Sequence, residues 1–260
     1  MYRSLSTLRA SIHEYSKEGA NMLRKLQASC VVERVHAKTS QRPEIPITLV
    51  KATQGDGPKA TLVVAYGAYG TPLSLRFREE WVPLLLRTGW TIALVHVRGG
   101  GEFGHAWHNA GRGLLKPESI GDLHAAVEWL VDNYISKPGE IVGNGVSAGG
   151  LLFGLFFQFE IKIINFVYPN NHQNKIGAVA NQNPSLFRAL VLNAPFLDIV
   201  SEMTNPDLPL TQHEYDEWGY PDQAGVKASW ANYSPYDNLD PRSGFPGGLF
   251  FFGGGGSLVI

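Results

Sequence analysis

The chain has 260 residues, a formal net charge of −1 and 17% charged residues, an ordinary balance for one large α/β domain with a substantial buried core. Near-neutral charge without a basic run argues against nucleic acid and anionic membrane surfaces as partners, and no apolar run is long enough to span a bilayer. A single cysteine, Cys30, has neither a disulfide partner nor the clustered ligands of a zinc site, so the expectation is a cytoplasmic protein that needs no metal and no cofactor.

After a mixed, polar opening, Val31–Val35 and Ile45–Val50 read as two strands at a domain edge, separated by the polar stretch 38–44. The turn cluster 54–58 leads into Ala60–Tyr66, an unbroken apolar run of the kind that fills a sheet covered on both faces. Trp90–Val97 and Leu186–Leu192 are two more such runs. Helical patterns lie between them, at Glu79–Arg87 and at Ile120–Tyr134. In the second, Leu123, Ala126, Val127 and Leu130 share one stripe, and Asp122, Glu128 and Asp132 fall outside it. This alternation predicts an α/β fold with a mostly parallel sheet and helices on both faces. Such sheets bind ligands at the carboxyl ends of their strands.

One strand end carries chemistry. Gly139–Gly143 reads as a short strand, Gly150–Gly154 as an apolar helix start, and between them stands Gly145-Val146-Ser147-Ala148-Gly149. Gly-x-Ser-x-Gly at a strand-to-helix turn is a nucleophile elbow: the turn is strained, the neighbouring backbones crowd it, and the hydroxyl is left exposed. The competing reading is a glycine-rich turn with an idle serine. The segment Arg98-Gly99-Gly100-Gly101-Glu102 lacks the lysine and following helix of a phosphate-binding loop. It reads instead as part of an active-site rim. His96, His105, His108, His124, His172 and His213 have no metal-ligand spacing and read as structural or surface residues, with His96 and His108 satisfying buried backbone groups.

Several blocks occur together: Tyr66-Gly67-Ala68-Tyr69-Gly70, His96 to Gly104 with Trp107-His108, Ser147 to Gly150, Asn193 to Asp198, and Glu214 to Gly219 followed by Tyr233 to Asn238. In this order they resemble the catalytic domain of the prolyl oligopeptidase family, especially its oligopeptidase B branch and the prolyl endopeptidase-like proteins. The resemblance implies an α/β-hydrolase fold, incomplete at the C-terminus, over residues 31–260, with residues 1–30 as the tail of a preceding β-propeller. It implies a serine-type endopeptidase acting on short peptides. Ser147 would be the nucleophile, and the backbone N–H of Ala148 with the Tyr66 hydroxyl would form the oxyanion site, Tyr69 being the alternative phenol. Glu214 and Asp216 would bind an Arg or Lys before the scissile bond, where charge-assisted hydrogen bonds favour a guanidinium. At the positions that would take a second basic residue stand Ser74 and Arg76, so a dibasic preference is not expected.

Two departures accompany the resemblance. The family's Asp and His should follow the strand after Pro246, but residues 247–260 contain neither. Residues 155–177 interrupt the helix after the elbow, and removing them restores the family spacing. A single reading covers both, in which each stretch is translated non-coding sequence. A transcript encoding all 260 residues would sink it and leave a genuine insertion and truncation. The alternatives to a peptidase are a catalytically inactive hydrolase-like interaction protein and an esterase on the same fold.

Overall fold

The computed structural model describes residues 17–38, 43–53, 59–76, 78–154, 186–238, 247–252 and 256–259. The stretch 155–177 read above as an insertion, the expected turn cluster 54–58 and residues 1–16 lie outside the described residues. Eight strands form one sheet: β1 (Cys30–Ala37), β2 (Ile45–Ala52), β3 (Thr61–Val64), β4 (Thr91–Val95), β5 (Ile141–Val146), β6 (Phe187–Asn193), β7 (Gly247–Phe252) and β8 (Gly256–Val259). Their order is β1-β2-β4-β3-β5-β6-β7-β8. Pairing is parallel from β4 through β3, β5 and β6 to β7, and antiparallel at both edges, where β1 pairs β2, β2 pairs β4 and β7 pairs β8.

The apolar runs become strands for the reason their pattern suggested. Every residue of β3 and of β4 is buried, because both faces of the sheet centre are covered. Period-2 alternation divides them. Leu62, Val64, Ile92 and Leu94 face a cluster with Leu85 of α2 (Val82–Leu86) and Leu26 of α1 (Lys17–Ser29). Val63, Ala93 and Val95 face the opposite cluster, together with Leu123, Ala126, Val127 and Leu130 of the longest helix and with Leu151, Leu152 and Phe153 beyond the elbow.

After α3 (His105–Asn109), that longest helix is α4 (Lys116–Asp132), which begins four residues before the start expected at Ile120 because Pro117 occupies its first turn, where a missing N–H costs nothing. One residue departs from expectation: Asp122 is fully buried rather than solvent-facing. Its carboxylate accepts from Arg98 Nε at 2.8 Å, Arg98 Nη2 at 2.6 Å and the Arg98 N–H at 3.0 Å. A charge at the start of the glycine-rich loop thus draws a helix acid inward. The remaining described helices are α5 (148–154), α6 (Ile199–Thr204), α7 (Thr211–Trp218) and α8 (Val226–Tyr233). Among the described residues no helix is long and apolar enough to cross a membrane.

Candidate active site

Ser147 sits where β5 ends and α5 begins, exposed and at φ +51, a left-handed conformation that an L-residue adopts only under constraint. Hydrogen bonds from both sides hold it there. Its N–H donates to Asn193 O at 3.0 Å, and its carbonyl accepts from the N–H groups of Gly150 at 2.8 Å and Phe196 at 3.0 Å. The flanking glycines are required by close approach. A Cβ on Gly145 would lie 2.7 Å from Gly149 O, and one on Gly149 would lie 2.7 Å from Ala65 O. Both are backbone contacts that cannot swing away, so Gly149→Ala is expected to cost about 1–3 kcal/mol of stability, measured by urea unfolding. A variant as stable as the parent would show that the β3 end can retreat from the elbow.

Ala148 is buried as the first residue of α5, so its N–H has no acceptor within the helix and is available at the positive end of the helix dipole. Tyr66 comes to the same place from the end of β3. The Cβ position of Gly149 lies 3.4 Å from Tyr66 Cα and 3.5 Å from its ring atom Cδ2. Burial raises the Tyr66 phenol's pKa, and the negative charges of Glu217 and Glu214 raise it further. At neutral pH the hydroxyl therefore keeps its proton and can donate. Among the described residues no imidazole or carboxylate hydrogen-bonds the Ser147 hydroxyl.

The turn carrying Tyr66 is braced by the glycine-rich loop 98–104. Gly70 N–H donates to Gly99 O at 3.1 Å, and a Cβ on Gly99 or on Gly101 would collide with the carbonyls of Gly67 and Gly70 respectively. Below the loop, His96 is 1% exposed and bridges Thr48 Oγ1 at 2.9 Å and Glu102 Oε1 at 3.0 Å. Burial lowers its pKa and keeps the ring neutral. His108 Nε2 lies 2.7 Å from Glu217 Oε2. Both rings thus find side-chain partners rather than the backbone groups expected of them.

An aromatic collar closes the site on the far side. Phe196 and Trp218 have ring centroids 5.0 Å apart, Tyr69 meets Trp218 edge-on at 6.0 Å, and Tyr66 lies 6.4 Å from Tyr69. Glu214 is set into this collar: its Oε2 accepts from Tyr69 Oη at 2.9 Å and from Trp218 Nε1 at 3.1 Å. Burial, then the Glu214 charge, raises the Tyr69 pKa, so that hydroxyl is the donor. Asp216 does not join Glu214. Two residues apart on a helix are about 200° apart around its axis. Accordingly Asp216 accepts from Tyr220 Oη at 2.8 Å and lines, with Arg112 and Tyr215, an open groove of about 360 Å³. Sequence reasoning did not single out Phe196, Lys116 or Glu217. Phe196 and Glu217 lie inside quoted blocks but have no motif of their own, Glu217 reading as one more acid in an acidic turn, and Lys116 lies outside every block.

A strand-to-helix serine elbow at the carboxyl edge of an eight-stranded sheet, with helices on both faces, defines the α/β-hydrolase class of protein. Within that class the chain belongs to the prolyl oligopeptidase family, whose model matches residues 76–162 and 174–250. It is 36% identical over 214 residues to a prolyl endopeptidase-like protein of Homo sapiens, a match covering 81% of this chain and 26% of that one. It is 33% identical over 252 residues to the dipeptidyl aminopeptidase BI of Pseudoxanthomonas mexicana, covering 93% of this chain and 32% of the relative. Among solved structures, the closed form of oligopeptidase B from Trypanosoma brucei with covalently bound antipain superposes with a TM-score of 0.73 at 30% identity, covering 86% of this chain and 28% of that one. The chain therefore spans about a quarter to a third of the length of these relatives.

Proposed function

We propose that this chain carries the nucleophile and oxyanion half of a serine peptidase that hydrolyses short peptides after Arg or Lys. The observation that carries the reading is the exposed Ser147 held at φ +51. Ala148 N–H stands at the adjacent helix start, and the protonated Tyr66 phenol is packed against Gly149. Attack by Ser147 on a peptide carbonyl would develop negative charge on its oxygen, and two fixed donors would stabilise that charge more in the transition state than in the ground state.

Support for a basic residue before the scissile bond comes from Glu214. Tyr69 and Trp218 fix one of its oxygens, and among the described residues no lysine or arginine pairs with it. Negative potential extends to the neighbouring helix α6, where burial and then the charges of Asp198 and Glu214 raise the pKa of Glu202. In this reading Glu214 makes the primary contact to the guanidinium or ammonium, and Asp216 acts from the groove side of α7. Residues 1–30 as a propeller tail, and 155–177 and 247–260 as atypical segments, belong to the same proposal. The family match is interrupted between residues 162 and 174, which supports the second of these.

The test compares the full chain on an arginine ester and on an otherwise similar uncharged ester. The arginine ester is expected to show the higher kcat/KM, and Glu214→Gln to reduce that preference about tenfold or more, the scale of a lost charge-assisted hydrogen bond. Equal rates on both esters would overturn the basic specificity and favour an esterase. No turnover of either would favour the inactive hydrolase-like protein.

A further inference from the structure

Beneath the site lies a chain of buried charge. Lys116 is 0% exposed and Glu217 is 4% exposed. Lys116 Nζ donates to Glu217 Oε1 at 2.9 Å and to the carbonyl of Gly67 at 3.0 Å. The other oxygen of Glu217 lies 2.7 Å from His108 Nε2, and the Lys116 ammonium sits 4.8 Å from the centroid of the Trp218 ring. Desolvating two opposite charges consumes most of what their attraction returns, so well-packed apolar residues would serve stability as well. Stability alone therefore gives little reason for this arrangement.

Its connections give a better one. Gly67 follows Tyr66 and turns the chain at φ +63, and a Cβ there would collide with Val97 and lie 3.1 Å from Leu152 of α5. Glu217 belongs to α7, the helix that carries Glu214 and Trp218. His108 belongs to α3, directly after the glycine-rich loop. One glutamate thus links the tyrosine turn, the collar helix and the loop brace.

We propose that Lys116 and Glu217 are positioning residues that hold the Tyr66 phenol in register with the Ser147 elbow, Lys116 by fixing the Gly67 peptide and Glu217 by tying Lys116 to α7. The inference rests on the reading of Tyr66 as an oxyanion donor. Neither residue contacts substrate. Neutralising them moves a donor relative to the reacting centre, which slows the covalent step and leaves initial binding unchanged.

The experiment labels the full chain with a fluorophosphonate. Ser147 Oγ forms a bond to phosphorus, the P–F bond breaks, and fluoride leaves while the serine proton passes to solvent. Glu217→Gln is expected to lower the maximal labelling rate constant about tenfold with the half-saturating probe concentration unchanged, and Tyr66→Phe to lower it about 100-fold or more. The decisive arm is the double variant: with Tyr66→Phe already present, Glu217→Gln should change the rate less than about twofold, because the group it positions is gone. A full tenfold loss in that background, or a parallel rise in half-saturation, overturns the inference and leaves the Tyr66 reading intact. Labelling unaffected by Tyr66→Phe, or absent from the unsubstituted chain, overturns the Tyr66 reading and the inference with it. Should Glu217→Gln not melt cooperatively, the charge-neutral pair Lys116→Met with Glu217→Gln enters the same cycle, and labelling at the unsubstituted rate by that pair overturns the proposal.

Discussion

Ser147→Ala is expected to abolish fluorophosphonate labelling and serine-dependent ester hydrolysis, and Ser147→Gly to do the same while making the protein more stable. The second half of this prediction follows from the backbone. At φ +51 an L-residue holds its Cβ against the neighbouring carbonyl, a conformation that costs about 1–2 kcal/mol and that glycine adopts freely. Glycine gives back part of that gain through the greater entropy of its unfolded chain, leaving a net stabilisation of about 1 kcal/mol. For a domain of this size the melting temperature should rise by roughly 2–4 °C. The three hydrogen bonds that hold the turn all use the backbone of residue 147, so neither substitution removes them. A Ser147→Ala variant that still hydrolyses would show that the nucleophile is elsewhere. A Ser147→Gly variant that melts lower would show that the turn is not strained at this residue. Together the pair separates the chemical cost of the serine from its conformational cost, which a single alanine substitution does not.

The elbow was legible because its physics is local. Glycine is demanded at 145 and 149 by carbonyls a few residues away and by the end of β3, and an apolar strand and helix start flank it within ten residues. Strands β3 and β4 were legible for a related reason: a strand buried on both faces needs an unbroken apolar run, and few other structures do. What the sequence did not reveal depends on partners far away in the chain. Lys116 and Glu217 stand 101 residues apart, and Tyr69 and Glu214 stand 145 apart. No periodicity records either pairing. The separation of Glu214 from Asp216 is an intermediate case, since it follows from helical geometry once α7 is known, but paired acids in a motif read naturally as a pair until the helix is assigned.

Asp122 shows how a helix stripe can mislead, and it carries the largest expected loss of stability. On α4 it neighbours Leu123 and Ala126, yet it sits at 0% exposure because Arg98 needs it. Burial alone would lower the Arg98 pKa, but Asp122 and then Glu118 outweigh it and raise the pKa above its ordinary value. With Asp122→Ala the guanidinium stays largely buried, keeps Glu118 Oε2 at 2.8 Å as its remaining charged partner among the described residues, and loses the acceptor of its own backbone N–H. Removing one member of such a pair costs about 3–5 kcal/mol, which corresponds to a fall of roughly 10 °C in melting temperature. Asp122→Asn preserves the shape and one acceptor and should cost less. The double variant Arg98→Met with Asp122→Leu should recover most of the loss, because no charge is then left buried without its partner. Thermal melts of the four proteins decide the matter. A loss under about 1 kcal/mol for Asp122→Ala would mean that Arg98 reaches solvent easily and that the start of the glycine-rich loop is not anchored there. A double variant as unstable as Asp122→Ala would mean instead that the pair matters through the one backbone and two side-chain hydrogen bonds that shape the loop, and not through its charge.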